Sequence, residues 1–188
     1  MLIALVGASG TGKSTIEWEI TKITDYEKIV SWTTRQRRIG EKSGIDYYFK
    51  TNEEFQNNLE LFAEYEEYSK NRFYGTMKAQ YDNSKKQIVV LTPHGVRQLK
   101  KKMPDLDVFV VYITAGLKDR VIRYIERCGK TLTYSDMTEL SERVSRDFGM
   151  FRGFEDEADL VIDNSNGTGC PFDHAISILA EVDKRERN

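Results

Sequence analysis

Apolar and polar positions along the chain keep two rhythms. Leu2–Val6 (LIALV) is an unbroken apolar run, the pattern of a strand covered on both faces in a parallel sheet. Lys13–Ile23 then reads as a helix and Lys28–Thr33 as a second strand. Thr51 with Glu54 is a capping-box pair that opens a short helix through Leu59. Leu61–Tyr68 reads as a strand, closed by a turn at the sequence SKNR. Gln87–Thr92 is a strand that runs into Pro93, a favoured first helical residue. Asp107–Thr114 contains FVVYI, the most strand-like run of the chain. Leu117–Arg127 and Met137–Phe151 read as helices, Leu160–Asp163 as a late strand and Pro171–Val182 as a closing helix.

Strands alternating with helices predict an α/β fold of three layers, a mainly parallel sheet with helices on both faces. Residues 34–80 break the alternation and are dense in aromatic and acidic side chains. That segment reads as an insertion at the carboxyl edge of the sheet, where folds of this class bind ligands.

Charge narrows the partners. Lys plus Arg is 28 and Asp plus Glu is 30, a formal charge of −2 over 188 residues, whereas a dedicated nucleic-acid binder carries a basic excess. The expectation is therefore small-molecule substrates and no nucleic acid. The two cysteines, Cys128 and Cys170, have neither zinc nor redox-motif spacing, so they read as free thiols of a reducing cytoplasm. The opening MLIALVGA is short and lacks a charged leader, so it reads as a first strand rather than a signal peptide. No apolar run approaches the roughly 20 residues that cross a bilayer, so no membrane partner is expected. His94 reads as a loop residue and His174 as a polar position on the last helix.

Between the first strand and first helix lies Gly7-Ala8-Ser9-Gly10-Thr11-Gly12-Lys13-Ser14, a match to G-x-x-x-x-G-K-[ST]. The glycines let the backbone curl so that successive N–H groups can face phosphate oxygens. The start of the helix adds unpaired N–H groups and the positive end of its dipole. In such a loop Lys13 reaches the β- and γ-phosphates and the Ser14 hydroxyl ligates Mg²⁺. The expected ATP-binding set is thus Gly7, Ala8, Ser9, Gly10, Thr11, Gly12, Lys13, Ser14 and Thr15, with Ser14 as the metal ligand. The motif is silent on what receives the phosphate.

The stretch SWTTRQRRIGEKSGIDYYF packs Arg35, Arg37 and Arg38 between Trp32 and the aromatic run Tyr47, Tyr48, Phe49. A monophosphate carries close to two charges, and planar guanidinium forks match its oxygens bidentately. Arg35 and Arg38, with the hydroxyls of Ser31, Tyr47 and Tyr74, would surround such a dianion. Arg37 reads as a solvated loop residue, Tyr48 as packing and Trp32 as core.

Several segments together resemble the guanylate kinase family. Ser31, Thr33, Thr34, Arg35, Arg38, Gly44, Asp46, Tyr47 and Phe49 fall at the spacing of its S-x-T-T-R-x-x-R…G-x-D-Y-x-F element. FYGT (Phe73–Thr76) is similar to its Y-Y-G-[ST] turn, and HGVRQLK (His94–Lys100) to its Q-G helix start. RYIER (Arg123–Arg127), Arg143 and DLVIDN (Asp159–Asn164) resemble its lid and last-strand elements. The resemblance covers nearly the whole chain.

It implies a P-loop NTPase-type fold, one domain over 1–188. The core would be 1–30, 84–126 and 147–188, the inserted acceptor lobe 31–83 and the lid 127–146, lengthened at Cys128–Thr138. The implied activity is ATP-dependent phosphorylation of GMP or dGMP by in-line transfer, with ATP and Mg²⁺, in a cytoplasmic monomer or homodimer. Lys13, Arg123, Arg127 and Arg143 would be catalytic, Arg146 being near enough to substitute. Asn164 would join the ATP site. The acceptor set would be Ser31, Arg35, Arg38, Tyr47, Glu64, Tyr74 and Thr76. Guanine offers two donors on its Watson–Crick edge, N1–H and the N2 amino group, so an ionised carboxylate complements it. Glu64 is the candidate, with Glu66 and Glu67 as competitors, and Thr76 would bond the guanine carbonyl.

The sequence departs from the family at one strand. Val90 and Thr92 stand where an acidic D-x-D-like pair is usual, leaving Asp25, Asp46 or Glu67 to compensate in metal and nucleotide handling. Two alternatives stay open on the residues alone: a kinase of this fold with another phosphorylated acceptor, and a non-catalytic module that binds a phosphorylated protein segment. Glu64 weighs against a sugar-phosphate acceptor, and the intact Lys13 and Ser14 weigh against the module.

Overall fold

The computed structural model describes residues 1–129 and 131–187. Strand β1 (Leu2–Val6) is wholly buried and leads into α1 (Lys13–Ile23), both at the predicted bounds. They are followed by β2 (Glu27–Lys28), β3 (Trp32–Thr33), β4 (Tyr48–Phe49), α2 (Asn52–Gln56), β5 (Phe62–Ser69) and β6 (Arg72–Met77). The second half holds β7 (Gln87–Leu91), α3 (Pro93–Lys102), β8 (Val108–Thr114), α4 (Leu117–Cys128), α5 (Tyr134–Met150), β9 (Leu160–Asp163) and α6 (Pro171–Arg187). One sheet has the order β2-β7-β1-β8-β9, in which β2 pairs parallel with β7 and β8 parallel with β9. A second sheet has the order β4-β3-β6-β5, with β6 antiparallel to both β3 and β5. This is an α/β architecture with a mostly parallel central sheet, as the alternation predicted.

Two compact units divide the chain. The first comprises Met1–Ala4 and Asp25–Val108. Its four-stranded sheet is held by an aromatic cluster in which Phe55 of α2 stacks on Phe62 at 4.4 Å and meets Phe73 at 5.4 Å. Phe55 and Phe62 are fully buried, which stabilises by about 1.5–3 kcal/mol per side chain. The second unit comprises Leu5–Thr24 and Phe109 onward. There Ile16 and Ile20 of α1 and Ile178 and Val182 of α6 are buried, and Tyr112 of β8 stacks on Phe151.

The differences from the sequence reading have local causes. The predicted strand 28–33 splits into β2 and β3, which belong to different sheets. Ile29 still donates to Ile88 O, but the next carbonyls are diverted, Val30 O to Gln80 Nε2 and Ser31 O to Tyr48 N. The capping box of Thr51 and Glu54 forms as expected, yet α2 ends at Gln56 and Leu59–Leu61 is a separate 3₁₀ turn. Helix α5 starts at Tyr134 rather than Met137, because Thr133 and Asp136 form a second capping box. Helix α6 continues past Val182 to Arg187. His94 lies in the first turn of α3 rather than in a loop, and His174 lies on the last helix as expected, where it is buried. Trp32 is half-buried, edge-on to Phe62 at 5.7 Å with Lys50 above its ring. The expected lid includes Lys130, which lies outside the described residues. Among the described residues no helix is long and apolar enough to cross a membrane.

Candidate nucleotide sites

The phosphate-loop candidates lie in the second unit. Gly10 and Gly12 adopt positive φ values of 82° and 92°, and a Cβ on Gly12 would collide with Asn164 Nδ2. Gly12 is the N-cap of α1 and brings no side-chain cap, and the first turn contains no acid, so nothing there competes with an anion. Ser14 and Thr15 are exposed in that first turn. Asn164, at the end of β9, is buried and donates to Thr11 O at 2.8 Å.

Lys13 folds back over its own loop, donating to Gly7 O at 2.6 Å and Ala8 O at 2.9 Å. Burial lowers its pKa to about 8; Asp147 opposes that shift, while Arg120 and Arg127 add to it. The predicted arginines divide. Arg123 donates to Gly10 O at 3.2 Å and to Asn164 O at 2.7 Å, joining the loop to the end of β9. Arg143 is buried, bonds Glu139 and reaches Ser9 Oγ at 3.3 Å. Arg127 is exposed, with its guanidinium 5.3 Å from the centre of the Tyr124 ring.

The acceptor candidates lie in the first unit and form two adjoining clusters. In one, Arg35 is buried, with its guanidinium 5.1 Å from the Tyr47 ring and 5.4 Å from the Phe49 ring. Tyr47 and Tyr74 meet edge to face at 5.7 Å. A side chain missed in the sequence completes this cluster. Glu41 takes a fork of two bonds from Arg35, at 2.7 and 2.5 Å, and accepts the Arg38 N–H at 2.8 Å. Burial would raise the Glu41 pKa, but the bonds from Arg35 and Arg38 hold it below the usual carboxylate value. Its position in GEKSG, between the arginines and the tyrosines, was the available signal. Arg37 is exposed, as expected of a solvated residue.

In the other cluster β5 pairs Glu64 with Thr76 of β6. Thr76 also shares a hydrogen bond of 2.9 Å with Ser31, which ties the two clusters together. Glu64 is 5% exposed. Burial raises its pKa to about 7, against the bond with Thr76; Glu66 raises it further and Lys102 lowers it. The three acids of the strand differ in place. Glu66 is half-buried opposite Tyr74, and Glu67 is exposed and accepts the Asn71 N–H at 2.8 Å. Tyr81, not singled out in the sequence, is buried close to Thr76 and Glu64; burial and then the Glu64 charge push its phenol well above the ordinary range.

Val90 is half-buried, and Thr92 is the N-cap of α3, accepting from Gly95 N at 3.0 Å. Thr92 Oγ is therefore engaged in the helix start. Among the described residues no group of three or more His, Cys, Asp or Glu side chains could hold a metal ion.

A buried strand, a glycine turn with an uncapped helix start and a lysine folded over the loop define a P-loop protein of the α/β class. The comparisons narrow the class. The guanylate kinase family model matches residues 1–183, and the chain belongs to that family. It is 38% identical over 134 residues to a guanylate kinase of Enterococcus faecalis, covering 65% of this chain and 64% of the relative. It is 35% identical over 154 residues to a guanylate kinase of Lactiplantibacillus plantarum, covering 78% and 71%. With a guanylate kinase of Streptococcus mutans the identity is 38% and the relative is covered over 62%. The chain thus spans less than two thirds of the Enterococcus and Streptococcus proteins. The crystal structure of guanylate kinase from Anaplasma phagocytophilum superposes with a TM-score of 0.73 at 21% identity, covering 100% of this chain and 87% of that one, a likeness of fold.

Proposed function

We propose that the protein is an ATP-dependent nucleoside monophosphate kinase that phosphorylates GMP, and dGMP, to the diphosphate. The observation that carries this reading is the buried Glu64 carboxyl beside Thr76, in the same lobe as the Arg35–Arg38 cluster. A buried acid whose pKa is pushed up despite its bonds to the hydroxyl and N–H of Thr76 is costly to ionise unless a ligand supplies further donors, and guanine supplies two. Family membership and the relatives' names support the choice of acceptor.

In this reading Arg35 and Arg38 hold the acceptor phosphate, with Ser31, Tyr47 and Tyr74 around it. Glu41 fixes the orientation of the Arg35 guanidinium before the dianion arrives, which reduces the ordering cost of binding. Lys13 and the first turn of α1 hold the β- and γ-phosphates. Arg123, Arg127 and Arg143 neutralise the charge that builds on the transferring group, because phosphoryl transfer is chiefly positioning and electrostatics. Mg²⁺ bound with ATP would offset the charge of the phosphates. From this chain Ser14, exposed at the helix start, would hold it, and with Val90 and Thr92 in place of acids most of its ligands would be phosphate and water. We assign the core to 1–30, 84–126 and 147–188, the acceptor lobe to 31–83 and the lid to 127–146. Free thiols at Cys128 and Cys170 fit a cytoplasmic setting.

A coupled ADP-release assay with ATP, Mg²⁺ and a panel of monophosphates tests the proposal. GMP and dGMP should be the best acceptors; activity confined to AMP, a pyrimidine nucleotide or a sugar phosphate would overturn it. Replacing Arg35 or Arg38 by alanine should raise the KM for GMP roughly 10- to 100-fold, the worth of a charge-assisted phosphate contact, and leave that for ATP nearly unchanged. The Arg35 variant should show the larger effect, because its loss also removes the guanidinium that neutralises Glu41, leaving that carboxylate with the Arg38 contacts beside the acceptor phosphate.

A further inference from the structure

Ser9 is gripped on three atoms by α4 and α5. Its N–H donates to Asp147 Oδ2 at 2.9 Å, its carbonyl accepts from Arg120 Nε at 2.8 Å, and its hydroxyl accepts from Arg143 at 3.3 Å. Arg120 Nη2 donates to Asp147 Oδ2 at 2.6 Å, which closes a ring through the Ser9 peptide. Asp147 has a fully buried side chain and Arg120 one only 16% exposed. The void between Ser9 and the two helices is about 10 Å³, at the lower limit for one water. On the neighbouring residue, a Cβ at Gly10 would lie 2.9 Å from Arg120 O, so the loop is seated closely on α4.

Stability alone is a poor reason for such a pair. A buried ion pair is often no better than apolar side chains of the same volume, because desolvation offsets the attraction. What apolar side chains could not do is fix the orientation of a peptide unit. Both polar ends of the Ser9 backbone are used in this way, one by each member of the pair. Ser9 is thereby engaged from the protein side, while Gly10, Thr11 and Gly12 follow it into the uncapped start of α1. The carboxylate also sets a negative charge beside Lys13 and Arg120, whose charges repel one another.

We infer that Asp147, acting with Arg120, is a positioning residue of the phosphate cradle, which fixes the Ser9 peptide so that the loop keeps its binding shape before a triphosphate arrives. The inference rests on the reading of this loop as the ATP site. Holding the loop in advance lowers the ordering cost of binding, so its loss should fall on ATP rather than on the acceptor.

The test uses the full chain, with Asp147→Asn and the double variant Arg120→Leu/Asp147→Ala. In the ligand-free protein, amide hydrogen exchange of residues 7–13 should quicken in both variants. Steady-state kinetics should show the KM for ATP raised about tenfold or more, the KM for GMP within about twofold of wild type, and kcat little changed. The double variant, which leaves no buried charge alone, should recover much of any melting temperature lost by Asp147→Asn while keeping the raised KM for ATP. Wild-type exchange and wild-type KM for ATP in both variants would overturn the inference. So would a double variant in which ATP affinity returns together with stability, since the pair would then be structural only. If the wild-type protein neither binds ATP nor phosphorylates a monophosphate, the functional reading fails instead, and the exchange experiment still decides whether Asp147 holds the loop.

Discussion

Lys13→Ala is expected to lower kcat for GMP phosphorylation by roughly 10²- to 10³-fold while the protein stays folded. The magnitude is that of removing one preorganised charge-stabilising group from a transition state. Survival of the fold follows from what Lys13 contacts. Its ammonium bonds Gly7 O and Ala8 O, both carbonyls of its own loop, and the packing of α1 rests on Ile16 and Ile20 instead. Those carbonyl bonds hold the ammonium over the loop, ready to exchange a carbonyl for a phosphate oxygen. Removing the side chain removes the ammonium seated directly on the loop carbonyls, while Arg120 is held by Ser9 and Arg123 by Gly10 and Asn164. A thermal melt beside single-turnover kinetics separates the two effects. Turnover close to wild type in a folded Lys13→Ala protein would remove the loop from the chemistry.

The shape of the loop was readable because it is written in contiguous residues. Gly10 and Gly12 need positive φ, and the strand and helix around them keep strict burial patterns, so eight residues carry the whole argument. The capping box of Thr51 and Glu54 and the start of α3 at Pro93 were readable for the same reason. What escaped were contacts whose partners are distant in sequence. Asp147 and Ser9 are separated by 138 positions and Arg120 and Asp147 by 27, so no local pattern announces them. A weaker signal did exist. Arg120, Arg123 and Arg127 recur at three- and four-residue spacing, and Glu139, Arg143 and Asp147 at four-residue spacing, which puts each set on one helix face. The split of the predicted strand 28–33 was hidden by its even β pattern. The side chain of Gln80 and the backbones of Tyr48 and β6, all from the inserted segment, divert the chain into the second sheet. Of the acids at 64, 66 and 67 the sequence puts Glu64 first but leaves Glu66 and Glu67 as competitors, because the gapped spacing of the motif is ambiguous. Burial and cross-strand pairing separate them.

Glu64→Gln should remove most of the discrimination between GMP and AMP, and the discrimination should itself depend on pH. Burial raises the Glu64 pKa to about 7 in the ligand-free protein. Guanine donates from N1–H and the N2 amino group, so it binds the ionised form; adenine has an acceptor at N1 and no amino group at C2, so it meets a carboxylate with a lone pair. Below about pH 7 the free protein must lose a proton to take GMP, and kcat/KM for GMP should rise toward a plateau as pH increases through 7. For AMP the protonated carboxyl is the better partner, so its kcat/KM should fall over the same interval. The second ionisation of the acceptor phosphate also lies near pH 6, but it is common to both substrates and cancels in their ratio. At pH 8, losing hydrogen bonds at a buried charge costs about 2–5 kcal/mol, a GMP preference of roughly 30- to 5,000-fold. Glutamine keeps the size but trades an acceptor for a donor amide and cannot titrate, so the ratio should collapse and become flat with pH. Stability should move in the opposite sense. A carboxyl whose folded pKa is raised contributes stability below about pH 4.5 that is lost as pH rises through 7, so Glu64→Gln should gain in melting temperature relative to wild type between pH 5 and pH 8. Glu66→Gln and Glu67→Gln should leave the ratio and its pH dependence intact. If one of them abolishes the preference while Glu64→Gln keeps it, the base is read two or three residues further along β5. If none of the three alters it, guanine is not read by this strand.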